Sequence, residues 1–398
     1  MAADIHEVTR REFLSAAAGF IPAAALLQQT PDFRYIGAVP LGNPTGGRTT
    51  PFGRLLGSGL NARLFTDLSA VPPAPPTKPG GENASGSNRI VTPTDKFFVR
   101  TAAPRALAKQ LDSWSVDVGG LVDSPSRFTM PSLEGLGSRS GTFLLECSGN
   151  TDPANYGLLS AADWEGVPMM ALLDRVKPST PAWRVLVSGL DDEADPARTS
   201  VPGASWIFSR GDLERAILAT RMNGAALPRD HGSPVRLIVP GWYGCACIKW
   251  VNRIELVADE AAATSQMQEF AARTHQSGTP AAARDYTPAI IDTAAMPVRV
   301  ERWAGRDGRS VYTIVGIIWG GTKATNQLSI RFRANLPWTR VDHCPLPAST
   351  DTWSLWTHTW RPESPGRYTI VLRVDDPAIR TRRLNLYFYA RDVEIADV

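Results

Sequence analysis

Residues 141–150 read GTFLLECSGN, an apolar run that ends in a cysteine and a glycine-containing turn. Phe143 and Leu145 fall on alternate positions, the period of a β-strand with one face in a core. At Cys147-Ser148-Gly149-Asn150 the chain turns, and strand-end turns are where backbone amides and side chains converge on a ligand. By residue chemistry alone, the Cys147 thiol reads as an inert buried sulfur, a nucleophile or a soft-metal ligand.

The same alternation extends on both sides of this stretch. Trp114, Val116 and Val118 form one series; Val235, Leu237 and Val239 form another. Ile248, Trp250, Ile254 and Leu256 form a third, interrupted at Asn252. In strands of this kind Arg236 and Lys249 point away from the core onto exposed faces, and Cys245 and Cys247 share one face as packing residues. The spacing predicts short helices over 169–176 and 212–221, the latter from Leu213 and Ile217 at i, i+4, followed by a tight turn at Met222-Asn223-Gly224.

The last hundred residues differ in kind. Leu328, Ile330 and Phe332; Tyr368, Ile370, Leu372 and Val374; and Leu384, Leu386 and Phe388 read as strands separated by Pro and Gly turns, with no clear helix between them. That pattern predicts a β-sandwich of immunoglobulin type over 297–398. The expected fold class is therefore α+β: a mixed α/β domain over 94–296 followed by the all-β sandwich. Residues 31–93 precede them as an extension whose Val71-Pro72-Pro73-Ala74-Pro75-Pro76 stretch predicts an extended connector on the surface.

The balance of 42 basic and 39 acidic residues in a chain of 398 leaves too little positive excess for a nucleic-acid binder. Four cysteines cannot staple such a chain, so a packed core must hold it. No apolar run is long enough for an ordinary membrane-spanning helix. At the N-terminus, Thr9-Arg10-Arg11-Glu12-Phe13-Leu14 precedes the short apolar stretch from Ala16 to Leu27. Residues 1–30 thus resemble a twin-arginine export signal, either cleaved at Ala23-Ala24-Ala25 or kept as an uncleaved anchor. Such export implies a periplasmic protein that travels folded, often around a cofactor.

A second cluster of chemistry runs from Arg229-Asp230-His231-Gly232 through Pro234-Val235-Arg236 to Ile248-Lys249-Trp250. Two arginines, a histidine and a lysine this close together form a cradle for a phosphate or similar anion. Taken in order, Phe97-Phe98-Val99-Arg100, ECSGN at Cys147, Trp164-Glu165-Gly166-Val167, Met222-Asn223-Gly224 with RDHG and PVR, Pro240-Gly241 and IKW resemble the sulfite oxidase family of molybdenum enzymes. ECSGN with Pro240-Gly241-Trp242 is most similar to its bacterial sulfite and sulfane dehydrogenase branch.

The resemblance implies molybdenum and one molybdopterin per chain, with the Cys147 thiolate on the metal. Asp191, His231, Arg236, Cys247, Ile248 and Lys249 would contact the pterin and its phosphate, and Arg100 would stand beside the reacting oxygen. Trp164 joins Arg100 and Cys147 as a catalytic candidate. The implied activity is oxygen-atom transfer from water to an inorganic sulfur compound such as sulfite. Electrons would pass to an external acceptor such as a c-type cytochrome, and the sandwich would pair two chains in a homodimer.

The chain departs from the animal and plant pattern at Thr101-Ala102 and Thr151-Asp152, where Asn-His and basic residues are expected. Residues 268–275 lack the expected pocket tyrosine, leaving Tyr286 as a later candidate. These losses of positive charge argue against tight capture of free sulfite dianion. Two other readings are a molybdopterin reductase of S- or N-oxides and a non-enzymatic exported binding protein. Arg380, Arg382 and Arg383 read as a solvated charge run or a cytochrome dock, and Trp319, Trp338, Trp353, Trp356 and Trp360 as packing.

Overall fold

The structure, a computed structural model, describes residues 32–42, 55–56, 63–64, 73–76, 90–150, 157–180, 182–190, 204–386 and 389–398. The expected export signal, Thr151-Asp152, Asp191 and Phe388 lie outside the described residues. Among the described residues, no helix is long and apolar enough to cross a membrane.

The chain begins with β1 (Phe33–Val39), β2 (Leu41–Gly42), β3 (Leu55–Leu56) and β4 (Arg63–Leu64). The first domain contains β5 (Ser115–Gly120), β6 (Ser126–Thr129), β7 (Arg139–Glu146), β8 (Leu159–Pro168), β9 (Arg184–Gly189), β10 (Ser205–Ser209), β11 (Ile217–Met222), β12 (Ala225–Ala226), β13 (Arg236–Ile238) and β14 (Val251–Val257). Its α-helices are short: α1 (Met130–Glu134), α2 (Met169–Arg175) and α3 (Ser265–Glu269). The second domain contains β15 (Ala294–Gly305), β16 (Ser310–Trp319), β17 (Leu328–Arg331), β18 (Thr339–Arg340), β19 (Ser354–Trp360), β20 (Gly366–Val374) and β21 (Arg391–Ile395).

In the first domain one sheet runs β10-β9-β14-β5-β6 and a second runs β12-β11-β8-β7, with β13 pairing β11. In the second domain the order β1-β15-β16-β19 faces β18-β17-β20-β21-β2, the expected sandwich. The N-terminal segment is part of it. β1 pairs antiparallel with β15 and β2 with β21, so residues 33–42 extend an edge of each sheet and shield it from other strands.

Residues 73–76, expected on the surface, dock against the sandwich instead. The Ala74 N–H donates to Glu301 Oε2 at 2.8 Å, and Pro76 is buried. The reason is Glu301, a fully buried carboxylate that needs donors and receives them from Ala74, Arg299 and Trp303.

Alternation in GTFLLE catches only one of the two buried faces of β7. Phe143 and Leu145 pack into the first domain's core. Leu144, with Leu159 and Ala161 of β8, packs among the sandwich residues, and the Leu144 N–H donates to Asp351 O at 2.7 Å. A strand covered on both faces reads as a continuous apolar run, so the two domains share a core directly behind Cys147.

Other expectations change on folding. The helix expected over 169–176 is α2, but 212–221 is a single tight turn, Gly211–Leu213, followed by β11. Ile217, Leu218 and Ala219 are all buried, with β8 and β13 as partners, and that continuous burial suits a strand rather than one helical face. The turn at Asn223-Gly224 is present, both residues having positive φ (51° and 78°), as a two-residue hairpin between β11 and β12 requires. Leu384–Leu386 form a turn, and the closing strand is β21. Trp319, Trp353, Trp356 and Trp360 are buried in the sandwich, while Trp338 lies between the guanidiniums of Arg331 and Arg373 at 4.5 and 4.6 Å.

Candidate active site

Cys147 is the first residue beyond β7, and its position is set by the backbone on both sides. Its N–H donates to Leu158 O at 3.0 Å, and its carbonyl accepts from the Asn150 N–H at 2.8 Å. The half-buried thiol lines a cleft together with Arg100, Arg273, His231, Arg236 and Lys249. Burial pushes the Cys147 thiol up, although the Gly149 N–H and the charges of Arg100 and Arg273 pull the other way. A soft metal ion reverses that balance, because it binds the thiolate.

The basic wall is built from turns that approach one another closely. His231 ends the turn Arg229–His231 and is followed by Gly232 at φ +113°. A Cβ on Gly232 would lie 3.0 Å from Arg236 Cβ and 3.2 Å from Lys249 Cβ, so glycine lets the two cationic side chains close in on this turn. Lys249 Nζ donates to the carbonyls of Thr101 and Asp230 and sits 4.3 Å from the Trp250 ring centroid. His231 is buried and lies edge-on to Phe97; burial and the nearby Arg236 and Lys249 lower its pKa to about 4.

Arg236 differs from the expectation of an exposed strand face: only 7% of it is exposed. Its Nη1 donates to His231 O at 3.1 Å, and its guanidinium lies 5.5 Å from the Trp164 ring. Its Nε is buried with no partner. Burial lowers its pKa to about 10, so it remains a cation at neutral pH. A buried guanidinium with an orphaned donor on a cleft wall is the environment an anionic group satisfies. The phosphate of a molybdopterin fits this cradle, and the half-buried Cys147 thiol fits its metal. Among the described residues, no three His, Cys, Asp or Glu side chains converge as a protein-only metal cage.

The cleft brings together Arg100, Cys147, His231, Arg236, Cys247, Ile248 and Lys249 from the sequence-based set. Trp164 is not among its lining residues. It is fully buried, its Nε1 donates to Phe143 O at 3.2 Å, and its ring supports Arg236 and Phe97 from behind. Trp164 is therefore a packing residue and not a catalytic one. Cys245 and Cys247 sit in a chain of tight turns rather than a strand, and both reach the cleft. Cys247 is nonetheless buried with its sulfur against Val239, and burial pushes the Cys245 thiol up to about 12.

Sequence reasoning missed Arg273. It lies in the tyrosine-less stretch 268–275, lines the cleft beside Phe270 and Gln266, and brings positive charge to a pocket expected to have lost it. Tyr286 packs against the first core and does not line the cleft. The arginine run is only partly solvated: Arg383 is exposed, Arg380 pairs with buried Asp292, and Arg382 is buried against Glu146.

Residues 102–265 match the oxidoreductase molybdopterin binding domain, a span that includes Cys147 and the basic wall but stops short of Arg100 and Arg273. Mitochondrial sulfite oxidase of Homo sapiens is 28% identical over 68% of this chain and 53% of its own length. Nitrate reductase [NADH] of Spinacia oleracea is 34% identical over 43% of this chain and 20% of its own. The chain thus spans about half or less of the curated relatives it matches. The sulfane dehydrogenase SoxCD structure from Paracoccus pantotrophus superposes with a TM-score of 0.57 at 20% identity, covering 84% of this chain and 90% of that one, which shows a shared fold. With these relatives beside the matched domain, residues 102–265 read as a molybdopterin-binding oxidoreductase domain similar to those of sulfite oxidases and nitrate reductases, in a chain that shares its fold with a sulfane dehydrogenase.

Proposed function

We propose that this protein oxidises a small inorganic sulfur oxyanion, sulfite or a close relative, outside the cytoplasm and delivers the electrons to an external c-type cytochrome. One observation carries the reading: Cys147 shares a single cleft with two arginines, Arg100 and Arg273, and with the His231–Arg236–Lys249 wall. Cys147 would hold the molybdenum, while His231, Arg236 and Lys249 would hold the pterin and its phosphate. When bound, that group supplies two-electron redox chemistry and oxygen-atom transfer.

The protein's own residues do the rest. Arg100 and Arg273 bind and orient an oxyanion beside the Cys147 sulfur, in a cleft where their charges attract it more strongly than they would in bulk water. Buried Phe98 beside them limits access of water to the reacting atoms. In overall balance, sulfite and water give sulfate, two protons and two electrons. The Arg10-Arg11 stretch supports export, and homodimerisation through the sandwich belongs to the same reading.

The test is elemental and pterin analysis of protein from its native host, followed by cytochrome c reduction driven by sulfite, thiosulfate and related anions. Molybdenum near one per chain, lost in Cys147→Ser, is the expected result, with sulfite-driven reduction of cytochrome. Dye oxidation driven by S- or N-oxides without sulfite oxidation would point to a reductase. A fully stable native protein lacking molybdenum would end the reading.

A further inference from the structure

The carboxylate of Glu146, immediately before Cys147, is completely buried, and two of its partners come from the sandwich. Arg382 Nη1 pairs with Glu146 Oε1 at 2.9 Å, and Trp319 Nε1 donates to Oε2 at 2.9 Å. The third partner is local: Asn150 Nδ2 donates to Oε1 at 2.8 Å, closing a brace over Cys147-Ser148-Gly149. Asn150 Oδ1 in turn accepts the N–H groups of Gly157 and Leu158 at 2.8 and 3.1 Å. The Glu146 carbonyl accepts from the Gly244 N–H at 2.8 Å, tying the same residue to the Cys245 turn.

Arg382 is itself fixed at three points. It reaches Glu146, Tyr389 OH at 2.7 Å and Tyr243 OH at 2.7 Å, so a second-domain guanidinium bridges first-domain residues on both sides of the cleft's cysteines. Leu144 on the same strand is held by Asp351 O, and Arg215 pairs with the Asp351 carboxylate.

We infer that Arg382, with Trp319, is a positioning residue for the Cys147 sulfur, so the sandwich domain completes the metal-attachment loop rather than serving only as an association module. The inference rests on the reading of Cys147 as the metal's protein ligand. Its physical basis is that a ligand's rotamer and loop are fixed by the groups hydrogen-bonded behind it, and here those groups lie on another domain. Breaking a buried ion pair from one side leaves an uncompensated charge, so the informative variant neutralises both partners.

The experiment compares wild type with Arg382→Met/Glu146→Gln, Trp319→Phe and Arg382→Lys, after circular dichroism confirms folding. In cofactor-free protein, alkylation by iodoacetamide is followed at Cys147 by mass spectrometry, with half-buried Cys344 in the sandwich as internal reference. In cofactor-loaded protein, the rate of molybdenum loss is measured. The double variant should alkylate Cys147 about tenfold faster relative to Cys344 and lose molybdenum ~10–100-fold faster, the range for removing partners behind a metal ligand. Arg382→Lys should recover part of both effects. Should the double variant not fold, Trp319→Phe, which keeps the ion pair, should shift both readouts in the same direction by about threefold.

Equal acceleration at Cys147 and Cys344 means general loosening and overturns the proposal. So does a folded variant with wild-type alkylation and molybdenum retention. A wild type that binds no molybdenum overturns the ligand reading of Cys147 instead, a result distinct from either.

Discussion

At the scale of single residues, charge placement determines what the cleft can bind, and His231 makes that testable by pH. The side chain titrates near 6.5 when free and near 4 when folded, because burial and then the charges of Arg236 and Lys249 oppose its protonation. The unfolded chain therefore takes up the proton first as pH falls. Stability conferred by neutral His231 is complete above pH 6.5 and is lost between pH 6.5 and about 4. In full the loss is about 3 kcal/mol. Urea unfolding across that window should show the slope in wild type and its flattening in His231→Gln. Arg273, exposed and outside the matched domain, makes a separate prediction. Arg273→Met should raise KM for an anionic sulfur substrate by roughly 10–100-fold with little change in kcat or melting temperature. Steady-state kinetics at fixed ionic strength separate this from a loss of folding. The sequence made Cys147 and its basic companions legible because each sits in a short motif with its own chemistry. Arg273 was not legible, because nothing around it but an absent tyrosine marked the position.

At the scale of elements, periodicity was a good guide wherever one face of a strand or helix meets solvent, and a poor one where both faces are covered. α2 and the Asn223-Gly224 hairpin were readable from spacing and turn chemistry. β11 read as a helix because Leu213 and Ile217 happen to fall four apart across a turn, while burial on both faces removed the alternation that marks a strand. The same effect hid the burial of Arg236: β13 is buried throughout, so its odd and even positions carry no inside and outside. The turn that brings Arg236 and Lys249 together depends on Gly232. Gly232→Ala forces a residue with a Cβ into φ +113° and presses that Cβ against Arg236 and Lys249. The strain alone should cost about 1–3 kcal/mol in chemical denaturation. Because the displaced groups form the anion cradle, pterin retention should fall more than stability does, which a cofactor-release assay on the folded variant measures.

At the scale of the whole molecule, the two domains described by the strand pattern share a buried interface. Leu144, Leu159, Ala161 and Tyr243 belong to the first domain by sequence but pack in the sandwich's core, and the buried Glu146–Arg382 pair lies in the same interface. None of this could be read from residues 141–150 alone, because Trp319, Asp351 and Arg382, which hold Glu146 and Leu144, lie more than 170 residues further along the chain. Separating the domains would expose those apolar side chains and leave a buried carboxylate and a buried guanidinium without each other. Breaking such a pair from one side costs about 3–5 kcal/mol, a large part of a domain's total stability. Differential scanning calorimetry of the intact protein should therefore show one transition in which both domains unfold together, its calorimetric and van't Hoff enthalpies agreeing. A fragment ending before β15 should melt at least 10 °C lower or aggregate. Two well-separated transitions in the intact chain, with such a fragment melting at the temperature of one of them, would show that the interface is too weak to couple the domains, and the sandwich would then be a passenger beside the cleft.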